Sequence, residues 1–108
     1  MRFQLASALV LVLLVSGARG ADEVTVPIAV RDAGFEPTRI TTSPGTKIRL
    51  EVSNDTAAAI EFESFELNRE RVVQPGQKVA VYLSGLSPGS YEFFDDFHPE
   101  RKGTLVVE

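Results

Sequence analysis

The chain has 108 residues, 15 of them acidic and 11 basic, with one histidine and no cysteine. That length holds one domain rather than two. The absence of thiols excludes disulfide exchange, thiolate nucleophiles, Fe–S clusters and cysteine-rich zinc sites, and a net charge of −4 argues against nucleic acid or an anionic membrane surface as the main partner.

The first twenty residues differ from the rest. Arg2 starts them with positive charge, Leu5 to Val15 is apolar, and Ser16-Gly17-Ala18-Arg19-Gly20 supplies small residues before Ala21. This order predicts a signal peptide over residues 1–20, cleaved after Gly20, and hence an exported, periplasmic domain over residues 21–108. The apolar run is too short for a spanning helix, which needs roughly 20 apolar residues, so no membrane insertion is expected after cleavage. Removal of Arg2 and Arg19 leaves nine basic residues against 15 acidic ones, a net charge of about −6.

From Ala21 onward the dominant period is two. Val24, Val26, Ile28 and Val30 share one face of a first strand, and Ile48, Leu50 and Val52 share one of a second. Val79, Val81 and Leu83 mark a third, and Leu105 to Val107 a short last one. Such alternation is that of half-buried strands. Pro27 cannot donate to a ladder, so the first strand should have an edge or a bulge there. Ser43-Pro44-Gly45, Gln74-Pro75-Gly76 and Ser87-Pro88-Gly89 each place proline before glycine, the chemistry of type II turns. The pattern predicts an all-β, Greek-key sandwich or barrel of about seven to eight strands.

Three segments carry candidate chemistry. In Ile60 to Leu67, inward Ile60 and Phe62 would leave Glu61 and Glu63 together on the other face, as a solvated surface or as a carboxylate cluster that a cation would relieve. In Tyr91 to Glu100, the lone histidine, His98, follows Asp95 and Asp96 at a strand end. Asn68-Arg69-Glu70-Arg71 reads as a charged turn, either solvated or a docking surface. Strand parity sets Asp95 with Tyr91 and Phe93, opposite in sense to Glu61 and Glu63, so joining them would need a bulge or bend. No nucleophile–base–orienter set exists, which disfavours hydrolysis.

The order of Gly89-Ser90-Tyr91-Glu92-Phe93-Phe94, Asp95, His98 and Gly103-Thr104-Leu105-Val106-Val107, with Phe35-Glu36-Pro37 and Pro44-Gly45-Thr46 upstream, resembles the cupredoxin fold. Asp95 stands where a blue-copper protein has its cysteine, and His98 where it has its loop histidine. A blue-copper centre needs a thiolate, so the resemblance implies the fold without that centre. Glu61-Phe62-Glu63-Ser64, Glu66-Leu67-Asn68-Arg69-Glu70 and Phe93-Phe94 with Phe97-His98 are similar to the small periplasmic cupredoxin-like proteins of bacterial ferrous iron uptake, which themselves resemble the N-terminal domain of EfeO. This likeness implies iron and/or copper as the bound ion and a membrane iron permease, or its periplasmic components, as partner. It implies Glu61, Glu63, Glu66, Asp95 and His98 as ligands, with Asp96, Arg69 and Glu70 in supporting or docking roles and a ferroxidase-like activity left open. The competing expectation is a metal-free sandwich that docks a membrane partner through its acidic surface.

Overall fold

Alternating apolar residues and Pro-Gly punctuation build an all-β fold. The computed structural model describes residues 23–108, so the expected signal peptide lies outside the described residues. Nine strands follow in order: β1 Glu23–Arg31, β2 Gly34–Glu36, β3 Arg39–Thr42, β4 Lys47–Asn54, β5 Ile60–Ser64, β6 Arg69–Val73, β7 Lys78–Leu83, β8 Gly89–Asp95 and β9 His98–Val107. They form a four-stranded sheet, β2-β1-β4-β7, and a five-stranded sheet, β3-β9-β8-β5-β6. The β1–β4 and β3–β9 pairs are parallel and the others antiparallel.

The core lies between the sheets and follows the expected parity. Ile48, Leu50 and Val52 stand opposite Leu83, Val81 and Val79, and all six are buried. From the other sheet come Ile60, Phe62, Phe93, Leu105 and Val107. Phe93 is central, stacked on Phe62 at 5.4 Å and meeting Phe35 edge-on at 5.0 Å. Each such side chain contributes roughly 1.5–3 kcal/mol by leaving water. Burial fades along β1 towards its start: Val30 and Ile28 are enclosed, while Val24 is exposed. Pro27 sits opposite Glu51 in an unbroken β1–β4 ladder, and β2 pairs only with Ala29–Arg31. The proline is therefore placed where β1 has a free edge, without a bulge.

Three local expectations change. Gly45 and Gly76 take φ of 79° and 74°, as type II turns require, and the Gln77 amide donates to the Gln74 carbonyl at 2.9 Å. Gly89, at φ 155°, instead opens β8, and the left-handed glycine of this connection is Gly85, at φ 68°. The Arg69–Arg71 stretch is strand rather than turn. Arg69 donates from Nε and Nη2 to the Tyr82 carbonyl, and Arg71 from Nη1 to that of Ala80. These guanidiniums thus occupy carbonyls on the open edge of β7 and tie the two sheets together. Finally, the last strand starts at His98. Its pairing with β8 shifts between His98 and Lys102, and Arg101, on the inward parity of Gly103 and Leu105, is buried.

Candidate metal centre

Strand β5 presents its side chains alternately. Ile60, Phe62 and Ser64 are buried, and Glu61 and Glu63 stand half-buried on the outer face of the five-stranded sheet. A four-residue turn, Phe65 to Asn68, returns the chain as β6; Asn68 takes φ 57°, a left-handed conformation that asparagine tolerates. The resulting register sets Glu70 opposite Glu63 and Val72 opposite Glu61. One carboxylate oxygen from each of Glu61, Glu63 and Glu70 lies within 4.8 Å of the others.

The electrostatics record the crowding. Glu61 is pushed up from 4.5 to about 7, first by a hydrogen bond with the Glu70 carboxyl, then by partial burial and by the charges of Glu70, Glu63 and Asp96. Glu63 is also raised, chiefly by burial and then by Glu70 and Asp96. Asp96 is held close because its amide donates to the Glu61 carbonyl at 2.8 Å. Among the described residues no lysine or arginine pairs with the three glutamates. The arginines beside Glu70 are turned away onto β7. Three close oxygens with uncompensated charge suit a hard or intermediate cation.

The other expected ligands lie apart from this group. Asp95 is fully buried, on the inward parity it shares with Phe93. Its Oδ1 accepts from the amides of Glu61 and Phe97 at 3.0 Å each, and its Oδ2 pairs with Arg101 Nη1 at 3.1 Å. A carboxylate already matched by a guanidinium and two amides has little left for a metal ion. Glu66 lies past the end of β5 and accepts the Glu92 amide at 2.6 Å, locking the hairpin turn to β8. His98 opposes Asp95 at the start of β9, with its Nδ1 3.6 Å from Glu100. Of the residues assigned to support or docking, Glu70 joins the carboxylates directly. Its place follows from the hairpin register, a signal present in the even spacing of Glu63 and Glu70 about the turn.

The sequence matches the cupredoxin-like domain family over residues 4–107. It is 39% identical, over 83 residues, to a protein of Rickettsia prowazekii described as uncharacterised; the match takes in 76% of this chain and 66% of that relative. The structure is similar to the metal-binding domain of the Cu(I)-exporting P-type ATPase CopA of Streptococcus pneumoniae, with a TM-score of 0.72 at 14% identity over 84% of this chain and 91% of that one. It is also similar to a purple cupredoxin from Nitrosopumilus maritimus, with a TM-score of 0.60 at 16% identity, covering 77% and 99% of the two chains. Amicyanin of Paracoccus versutus gives 0.61 at 19% identity, over 78% and 81%. These likenesses show the fold. With no cysteine in the chain and Asp95 closed off by Arg101, the residues do not fit a type 1 copper ion.

Proposed function

The chain belongs to the cupredoxin-like domain family, and from that premise we propose that it is an exported, periplasmic metal-binding accessory of ferrous iron uptake. Its cation site is the Glu61, Glu63 and Glu70 group with Asp96 beside it, and its partner is a membrane iron permease or that permease's periplasmic components. The observation that carries this reading is the clustering of three carboxylates with no intrachain counter-charge. Oxygen donors without thiolate or imidazole favour iron over Cu(I). Anionic ligands also stabilise the higher charge state, so bound Fe²⁺ becomes easier to oxidise.

Calorimetric titration of the full chain with Mn²⁺, and with Fe²⁺ under anaerobic conditions, tests the site. One binding event is expected, weakened about tenfold or more (~1.4 kcal/mol) by Glu63→Gln and left near the starting value by His98→Ala. A silent wild-type titration, or equal binding by Glu63→Gln, would count against it.

The raised Glu61 carboxyl predicts a pH dependence of stability. Between 4.5 and about 7 the folded protein holds a proton that the unfolded chain releases. Stability therefore falls as pH rises through that window, and this contribution levels off on either side. Thermal melts without metal should show a lower Tm near pH 7.5 than near pH 5, a difference reduced in Glu61→Gln. Mn²⁺ should raise the Tm at the higher pH, since ligation replaces the proton. An unchanged pH profile in Glu61→Gln would remove Glu61 as its source.

A further inference from the structure

Phe65 is 75% exposed and Val72 45%, and both belong to the hairpin that carries the carboxylates. Phe65 packs edge-on against Phe94 with ring centres 5.3 Å apart. Phe94 in turn stands beside Glu63 in the β8–β5 register, and Glu63 beside Glu70 in the β5–β6 register. Cross-strand neighbours share a face, so one row reads Phe94, Glu63, Glu70, with Phe65 against its aromatic end. In the next row Val72 stands against Glu61. On the far side of Phe94 the β9 register places Lys102, which bounds the acidic strip.

This surface is apolar, aromatic and anionic at once. A bare metal ion would use the oxygens and leave the rings idle. A lysine ammonium would keep much of its hydration. An arginine matches both halves: its planar, weakly hydrated guanidinium stacks on aromatic rings and forks onto carboxylates. We propose that this face docks an arginine-bearing segment of a partner protein, with guanidinium over Phe65 and Phe94 and its N–H groups on Glu63 and Glu70. The docking names the partner chemistry of the proposed cation site and rests on that reading for the role of the carboxylates. It follows that partner and metal ion compete for the same oxygens, so arrival of one favours departure of the other.

The test titrates the isotope-labelled full chain, by NMR, with a short peptide carrying arginine and leucine and with the same peptide in which citrulline, neutral but of like shape, replaces arginine. Shifts should cluster at residues 61–65, 70–72 and 92–94 with the arginine peptide alone and weaken with added salt. Phe65→Ala should weaken peptide binding several-fold while leaving Mn²⁺ affinity unchanged, and Mn²⁺ should displace the peptide. Equal binding of the citrulline peptide, or full binding by both Phe65→Ala and Glu63→Gln, overturns the docking proposal. Peptide binding without Mn²⁺ binding overturns the metal reading and keeps the docking face.

Discussion

Asp95→Ala is expected to destabilise the fold by about 3–5 kcal/mol, because it strands a buried charge. The lost carboxylate leaves the Arg101 guanidinium, whose side chain is only 10% exposed, with its remaining carboxylate neighbour Asp32 at 3.8 Å on the surface. Arg101 Nε already lacks a partner. The amides of Glu61 and Phe97 lose their acceptor as well. Against a typical total stability of roughly 5–15 kcal/mol, this is a large share. Asp95→Asn combined with Arg101→Met separates the causes: it keeps an acceptor for the two amides and removes both charges. That double variant should recover most of the loss in urea unfolding, as replacement of buried ion pairs by apolar groups often does. It should also bind Mn²⁺ like the wild type. A cost below about 1 kcal/mol for Asp95→Ala would mean that the pair does not hold the loop.

The place of Asp95 shows what could be read from the chain and what could not. Its inward direction follows from parity with Phe93, and the outward direction of Glu61 and Glu63 follows from Ile60 and Phe62. Period two is a local property, so it survives without tertiary information. The partners are another matter. Arg101 shares the inward parity of Leu105 and Val107, but it meets Asp95 where the β8–β9 pairing shifts between His98 and Lys102, and the period does not reveal that shift. Glu70 meets Glu63 only through the length of one turn. Arg69 and Arg71, charged neighbours on the chain, are drawn to carbonyls of β7, the next strand along the chain but a member of the other sheet. The fold was therefore legible from alternation and turns, and half of the carboxylate site with it. The remainder depends on register, which sequence period constrains only to even or odd.

The buried loop position and the outer-face carboxylates are distinct places in this fold. The loop's buried position holds an ion pair that fixes the Glu61 backbone, while Glu61, Glu63 and Glu70 cluster on the outer face. The link between them is physical: Asp95 accepts the Glu61 amide, and the Asp96 amide donates to the Glu61 carbonyl. Both backbone groups of Glu61 are thus held by the β8–β9 turn, and the carboxylate cluster inherits that rigidity.

Gly103→Ala should be nearly as damaging, costing about 3 kcal/mol, the upper part of the range for overpacked cores. Gly103 lies in β9 opposite Phe93, and a Cβ there would run into the Cε1–Cζ edge of that ring and come within 3.1 Å of the Thr38 carbonyl oxygen. Neither neighbour can yield easily. Phe93 is fully buried between Phe35 and Phe62, and the Thr38 carbonyl accepts the Thr104 amide at 2.8 Å where β3 joins β9. The reason is space and not backbone conformation, which gives a sharp contrast. At Gly45 a Cβ meets nothing within 4 Å, but φ is 79°, so alanine there costs only the left-handed strain, about 1–2 kcal/mol. In the Gly103→Ala background, Phe93→Leu should restore part of the loss by vacating the ring edge, although Phe93→Leu alone destabilises. Urea unfolding of the two single variants and the double variant gives the coupling. Strict additivity of the two losses would show that the ring is not what excludes a side chain at position 103.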